Sequence, residues 1–200
     1  LFGLGKLGLP LALVFSQYIK VIGIDSDYSK IEKLNQSQPP FFEPFMEDYL
    51  ISNINNLSFQ NTTEYDINDF DIAIILVNTP SNEKGEFSNG YIYDVIETLS
   101  LKLKSSKKKD FLFILSSTVM PGSHKHIIET IESISEKKLN EDFGFVYIPD
   151  LVALGSVIKD FENPDLLIMG ESDKKYGDIA QNLYSKMLKN NPPIVRMSVI

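Results

Sequence analysis

Several kinds of residue and segment are absent from these 200 residues, and each absence excludes a class of function. There is no cysteine, which excludes a disulfide framework, a thiolate zinc site and a cysteine nucleophile within the sequence. No apolar run approaches the roughly 18 residues of a transmembrane helix, and no signal-peptide pattern is visible. We therefore expect a cytoplasmic protein.

Positive charge is also scarce, with 19 Lys and Arg against 27 Asp and Glu and a net charge of −8. Without a basic stripe, nucleic acid and anionic membranes are disfavoured as partners. The two histidines, His124 and His126, are two residues apart and do not share a helical face, so we expect both at the surface and no metal site.

What is present is an alternation of short apolar runs and amphipathic segments. Buried strands are predicted at 20–25, 71–77, 111–119 and 143–148, and helices at 9–16, 91–103, 124–137 and 173–188. Strands that alternate with helices predict an α/β fold: a doubly wound, mostly parallel sheet with helices on both faces. The length suits one domain over residues 1–200.

The first strand is followed directly by a G-x-G-x-x-G motif, Gly3-Leu4-Gly5-Lys6-Leu7-Gly8. In a dinucleotide-binding turn the first glycine permits the tight bend, the second lets the backbone approach a pyrophosphate, and the third lets helix and strand pack closely. The helix that begins here would present its N–H groups to the anion. All six residues are therefore predicted to bind a cofactor.

Asp25 ends the next strand, 17 residues after Gly8. This is the place of the carboxylate that binds the ribose diol of a dinucleotide, and it would repel a 2′-phosphate, so NAD is favoured over NADP. A surface Asp at a strand end is the plain alternative. An S-adenosylmethionine methyltransferase is another, although such enzymes usually lack the third, packing glycine.

Polar residues also follow three later strands. They are the segments Asn78-Thr79-Pro80, Ser116-Ser117-Thr118 and Pro149-Asp150. In doubly wound sheets ligands bind beyond the carboxyl ends of the strands. Any one of these segments could be a turn or a helix cap, but together they predict a functional edge.

These motifs in this order resemble the NAD-binding half of the UDP-glucose/GDP-mannose (UDP-N-acetylmannosamine) dehydrogenase family. The matching pieces are GLGKLGLPLA, VIGID, FFEP, VNTP, SSTVMPG and YIPDLVALGSVIKDFENPDLLIMG, which spread over nearly the whole chain. The resemblance implies a Rossmann-like fold and an enzyme of polysaccharide biosynthesis. It would oxidise C6 of a UDP-sugar from alcohol to carboxylate with two NAD per turnover.

The resemblance also implies roles for individual residues. Lys30 would lie near the same ribose as Asp25, and further cofactor contacts would come from Val77, Asn78, Thr79, Pro80 and Ser117. Thr118 would hold a catalytic water, and both Thr118 and Asp150 would act in catalysis and touch the cofactor. Sugar contacts would come from Asp150, Leu151, Val152 and Leu154.

Two departures from the family pattern bear on the substrate. Asp150 stands where the family usually has Glu, and Leu154 stands where the UDP-glucose enzymes have a second Glu, which Leu cannot replace as an acid or base. The family's catalytic Lys, Asn and Cys, its linking helix and its substrate domain have no counterpart here. We expect these 200 residues to bind NAD without oxidising the sugar, and the full-length enzyme to be a homodimer.

Two other functions stay open, a non-catalytic NAD-binding regulatory module and another member of the β-hydroxyacid dehydrogenase group. Glu43 is expected to cap the helix that follows it, Phe41, Phe42 and Phe45 to serve in packing, and residues 160–165 to form a loop before a strand.

Overall fold

Helices and strands alternate along the chain in the computed structural model, which describes residues 1–81, 85 and 87–199. The helices are α1 (Gly8–Ser16), α2 (Tyr28–Asn35), α3 (Met46–Ser52), α4 (Gly90–Ser105), α5 (Ser123–Ser135), α6 (Val157–Glu162) and α7 (Lys174–Ser185). The strands are β1 (Val21–Asp25), β2 (Leu57–Asn61), β3 (Ile72–Ile75), β4 (Phe111–Leu115), β5 (Phe143–Tyr147), β6 (Leu167–Glu171) and β7 (Ile194–Ser198). Pro, Asn and Gly residues predict a loop over residues 79–90, and residues 82–84 and 86 of this segment lie outside the described residues.

Two compact units share the chain, and each is discontinuous in sequence. The first unit comprises Leu1–Tyr65, Leu151–Leu167 and Gln181–Ile194. The second comprises Asp66–Asp150, Ile168–Ala180 and Val195–Ile200.

The first unit contains a parallel pair of strands, β1 and β2, with Val21 opposite Leu57 and Asp25 opposite Asn61. Phe2 forms a further parallel bridge to Ile24, directly before the glycine motif. Every residue of α1 is buried, as expected of a helix that is apolar on all sides. This burial fixes the end of α1 that follows the glycine turn.

The second unit carries a sheet in the order β3-β4-β5-β6-β7. The pairs β3–β4 and β4–β5 are parallel, whereas β5 and β6 are antiparallel. All five residues of β4 are buried, which explains its uninterrupted apolar sequence FLFIL. The predicted α/β fold with a mostly parallel sheet is confirmed, and the reversed β6 is a feature that the hydrophobic pattern did not indicate.

Residues 160–165 correct one expectation, because Asp160 and Glu162 lie in α6 and not in a loop. Glu43 corrects another. Its carboxylate accepts hydrogen bonds from the backbone N–H groups of Val157 (2.8 Å) and Gly155 (3.2 Å), so it caps α6 and not α3. The expected structural role is right, but the helix lies more than 100 residues away in sequence.

Two of the phenylalanines near the buried Glu43 are exposed. Phe42 is 90% exposed, and Phe45 is 61% exposed with a left-handed backbone (φ 67°) at the start of α3. The expectation that these two rings serve in packing is therefore wrong. Phe41 is partly buried.

Replacing Glu43 by Ala should destabilise the protein by about 3 kcal/mol, because two hydrogen bonds to a buried carboxylate are lost and two N–H groups lose their partner. Urea unfolding would measure this change. The matched control is Glu47→Ala in α3, whose exposed side chain predicts a change under about 0.5 kcal/mol. Equal stability of the two variants would show that the Glu43 contacts contribute nothing.

Among the described residues, no helix is both long and apolar enough to cross a membrane. In the same part of the chain, no group of three or more His, Asp or Glu side chains is arranged to hold a metal ion.

Candidate cofactor-binding site

The glycine turn of the first unit leads directly from the first strand into α1. Gly3 has a left-handed backbone (φ 93°), and its N–H donates to the carbonyl of Ile24 at 2.8 Å. The first helical hydrogen bonds run from Leu9 to Gly5 (3.1 Å) and from Leu11 to Leu7 (3.0 Å). Because the first N–H groups of a helix have no partner within the helix, this turn can present them to an anion.

Gly8 is required by a close backbone approach. A Cβ atom at this position would lie 1.9 Å from the carbonyl oxygen of Gly3. The predicted role of the third glycine, close packing of the turn against the helix, is therefore visible in the geometry.

Asp25 joins β1 to the glycine turn. Its Oδ2 accepts hydrogen bonds from the N–H of Leu4 (2.7 Å) and from Nζ of Lys30 (2.8 Å), and its Oδ1 accepts from the N–H of Asp27 (2.9 Å). Asp25 is buried, and Lys30 is partly buried. The structure thus brings together the turn, the carboxylate and the lysine that the sequence analysis grouped.

Lys30 owes its position to the start of α2. The carboxylate of Asp27 caps this helix by accepting from the N–H of Lys30 at 3.2 Å. Lys30 therefore lies in the first helical turn, from which its side chain reaches back to Asp25.

The strand ends of the second unit contain the other predicted residues. Ser117 is buried, and its hydroxyl accepts from the N–H of Val77 (2.8 Å) and donates to the carbonyl of Val77 (2.9 Å). This hydroxyl therefore ties the end of β4 to the end of β3. The remaining residues here range from partly to well exposed, namely Asn78, Thr79, Pro80 and Thr118.

Thr118 and Asp150 follow neighbouring parallel strands, β4 and β5, by three residues each. The carboxyl ends of parallel neighbours share one edge of the sheet, so these two residues lie at the same edge. The other predicted sugar contacts belong to the first unit: Leu151 and Leu154 are exposed, and Val152 is partly buried.

The Asp150 carboxyl group is unusual because its Oδ2 is shielded from solvent and has no hydrogen-bond partner among the described residues. Burial raises its pKa from 3.8 to about 7. A carboxyl group with this pKa can both hold and release a proton near neutral pH.

Asp150 should make stability fall as the pH rises from about 4 to about 7. In this window the folded protein keeps a proton that the unfolded chain has lost, so raising the pH favours unfolding. Asp150→Asn should remove this part of the decrease in the free energy of unfolding. Urea unfolding at several pH values between about 4 and 7 would measure it. The exposed Asp165→Asn is the control and should keep the wild-type slope. Parallel slopes for all three proteins would contradict the assignment.

Two further residues, His124 and Tyr147, lie near this edge. The sequence analysis placed His124 at the surface and did not consider Tyr147. His124 is partly buried, its Nδ1 is shielded from solvent, and its ring lies 6.2 Å from that of Tyr147. The expectation of a surface residue is therefore wrong for His124, whereas His126 is exposed and contacts Glu129 at 3.2 Å. Burial, with the nearby Asp150 charge, raises the pKa of Tyr147.

The first unit is a dinucleotide-binding domain of the Rossmann type. It has a parallel strand pair, a glycine turn, and a carboxylate at the end of β1 that accepts a hydrogen bond from this turn. Residues 1–188 match the model of the UDP-glucose/GDP-mannose dehydrogenase family, NAD binding domain. The chain belongs to this family.

Curated relatives include the GDP-mannose 6-dehydrogenase of Pseudomonas putida, which is 32% identical over 203 residues, spanning 100% of this chain and 45% of the relative. The UDP-glucose 6-dehydrogenase of Rickettsia felis is 29% identical over 197 residues, spanning 96% of this chain and 42% of the relative. The chain thus spans less than half the length of these relatives.

Solved structures agree with this assignment. A GDP-mannose dehydrogenase from Pseudomonas aeruginosa, solved as a ternary complex, superposes with a TM-score of 0.91 at 33% identity, over 99% of this chain and 45% of that one. A UDP-D-ManNAc dehydrogenase from Pyrococcus horikoshii has the same fold, with a TM-score of 0.89 at 24% identity over 98% of this chain and 46% of that one. The predicted family, fold and cofactor are therefore confirmed.

Proposed function

We propose that the first unit holds the adenosine half of NAD through the glycine turn and Asp25. The single observation that carries this proposal is the Asp25 carboxylate, which accepts the Leu4 N–H of the turn at 2.7 Å. The backbone N–H groups of residues 5–8 would bind the pyrophosphate, and Asp25 with Lys30 would bind the ribose hydroxyls.

The residues present fit this cofactor on two physical grounds. A side chain at Gly8 would collide with the Gly3 carbonyl, so glycine at this position lets the turn pack closely against the start of α1. The buried carboxylate of Asp25 would repel the 2′-phosphate of NADP and accept hydrogen bonds from the 2′-hydroxyl of NAD. Lys30 offsets part of the negative charge of Asp25 without removing its acceptor atoms.

For the second unit we propose that the ends of β3 and β4 contribute further cofactor contacts. These would come from the residues after the strands: Val77, Asn78, Thr79, Pro80, Ser117 and Thr118. Because the Ser117 hydroxyl is bound to the Val77 backbone, its part would be to fix the Val77 peptide.

The chemistry that we propose is the oxidation of a nucleotide-bound sugar at C6, with NAD as the hydride acceptor when bound. Thr118 would hold a water molecule through its exposed hydroxyl. The Asp150 carboxyl group, with a pKa of about 7, would take up and release a proton at Oδ2. Its side chain is one methylene shorter than Glu, so a water molecule would bridge it to more distant atoms.

The nucleotide sugar is a GDP- or UDP-linked sugar in this proposal. Relatives named for GDP-mannose and for UDP-glucose have similar identities, 32% and 29%. Asp150, Leu151, Val152 and Leu154 would contact the sugar, and Leu154 would do so without acid or base chemistry.

We further propose that residues 1–200 serve as the NAD-binding domain of such an enzyme, that the complete enzyme is a cytoplasmic homodimer, and that it supplies sugar acids for polysaccharide biosynthesis. The thiolate step of this chemistry requires a cysteine, and these 200 residues have none. The complete reaction would therefore need groups beyond them.

Calorimetric titration with NAD⁺ and NADP⁺ tests the cofactor proposal directly. We expect NAD⁺ to bind more tightly than NADP⁺, and equal or absent binding would contradict the assigned site. Incubation with NAD⁺ and GDP-mannose, UDP-glucose or UDP-N-acetylmannosamine tests the activity. We expect these 200 residues to form no NADH, and sugar-dependent NADH formation would overturn that expectation.

A further inference from the structure

Asn61 ends β2 directly opposite Asp25, the last residue of β1. Its side chain is only 8% exposed, although it is an amide at the end of a strand. Nδ2 donates to the carbonyl oxygens of Ser26 (3.2 Å) and Asp25 (3.3 Å). The amide therefore holds the backbone at the point where β1 stops being a strand.

The orientation of this amide is fixed by its other end. Oδ1 of Asn61 accepts hydrogen bonds from the N–H of Thr63 (3.3 Å) and from the hydroxyl of Thr63 (3.2 Å). The hydroxyl of Thr62 adds a longer contact at 3.4 Å. Because N–H and O–H donors face Oδ1 and carbonyls face Nδ2, the amide has only one arrangement that satisfies its partners.

The carboxylate of Asp25 depends on the backbone that Asn61 holds. Its Oδ2 meets the N–H of Leu4 at 2.7 Å, so a rotation of the Asp25–Ser26 peptide would move the carboxylate away from the glycine turn. Asn61 also adds no negative charge beside Asp25, whereas a carboxylate at this position would repel it.

We propose that Asn61 is a positioning residue for the cofactor. Its carboxamide fixes the Asp25–Ser26 peptide, which aims the Asp25 carboxylate at the adenosine ribose and supports the preference for NAD over NADP. The inference rests on the proposed ribose contact of Asp25 and adds a residue with no contact of its own to the cofactor.

The test is a calorimetric titration of NAD⁺ and NADP⁺ into wild type and Asn61→Ala. We expect the affinity for NAD⁺ to fall about tenfold and that for NADP⁺ to change less than about twofold. Asn61→Asp is the second variant, because it keeps the size and the Oδ1 partners but lacks the donors. It should lower the NAD⁺ affinity at least as much.

Two further variants distinguish a positioning role of Asn61 from a general loss of structure. Asn56→Ala removes a similar bond, from Nδ2 to the carbonyl of Ser16 (2.8 Å), at the other end of α1, and should leave both affinities unchanged. In an Asp25→Ala background, Asn61→Ala should change the NAD⁺ affinity less than about twofold, because the group that it positions is absent.

The inference fails if Asn61→Ala weakens NAD⁺ and NADP⁺ equally, or if its full effect persists without Asp25. In those cases the proposal that the wild type binds NAD⁺ would be unaffected, and only the proposed role of Asn61 would be contradicted. Absence of NAD⁺ binding by the wild type would instead overturn the proposed function and the role of Asn61 with it.

Discussion

Gly8→Ala should abolish most NAD⁺ binding and destabilise the protein. The added Cβ would lie 1.9 Å from the Gly3 carbonyl oxygen, which is more than 1 Å inside ordinary contact, and this oxygen is a backbone atom that cannot rotate away as a side chain could. The glycine turn would have to move away from α1, because this helix is buried along its whole length and cannot shift without disturbing the core. We expect the free energy of unfolding to fall by about 3 kcal/mol and the NAD⁺ affinity to fall about 100-fold.

Thermal or urea unfolding and calorimetry would measure the two effects separately. Gly90→Ala is the matched control, because a Cβ at this first residue of α4 would meet its nearest neighbour, Oγ of Ser88, at 3.5 Å. It should leave stability within about 0.5 kcal/mol of wild type. Wild-type NAD⁺ affinity in Gly8→Ala would mean that the turn does not bind the pyrophosphate.

Asp25→Ala should weaken NAD⁺ binding by roughly 10- to 150-fold, which corresponds to the 1.5–3 kcal/mol of a hydrogen bond to a charged group. The affinity for NADP⁺ should stay level or rise. The carboxylate that repels a 2′-phosphate is gone, and Lys30 loses its partner at 2.8 Å and becomes available to the phosphate. The preference for NAD over NADP should therefore shrink or reverse.

Asp66→Ala provides the control for this experiment. The Asp66 carboxylate also accepts a backbone N–H, that of Asn68 at 2.9 Å, so its loss should cost about 1 kcal/mol of stability but change neither cofactor affinity more than twofold. Parallel losses of NAD⁺ and NADP⁺ affinity in Asp25→Ala would indicate damage to the turn, through the Leu4 N–H, and would contradict a specific ribose contact.

The parts of the site that the sequence predicted are those encoded locally. The glycine turn is contiguous, and Asp25 is placed by the end of the next buried strand, so spacing alone sufficed to group them. The strands β3, β4 and β5 were also visible as apolar runs, because burial on both faces leaves no polar positions.

The parts that the sequence did not predict depend on contacts between distant segments. Helix α6 has six residues, too few for helical periodicity to be recognised, and its cap comes from Glu43. Asn61 was not singled out in the sequence, since the carbonyls that it binds lie more than 30 residues earlier, at Asp25 and Ser26. The burial of the Asp150 carboxyl group is likewise a product of packing and not of local sequence.

The cap that joins Glu43 to α6 also has a consequence for synthesis on the ribosome. Its two partners are 112 and 114 residues further along the chain. At about 5–20 residues per second, roughly 6 to 22 seconds separate the translation of Glu43 from that of Gly155. During this interval the proline-rich segment around Glu43 has its carboxylate in water. The first unit therefore completes its fold late, after the continuous stretch 66–150 of the second unit has been translated.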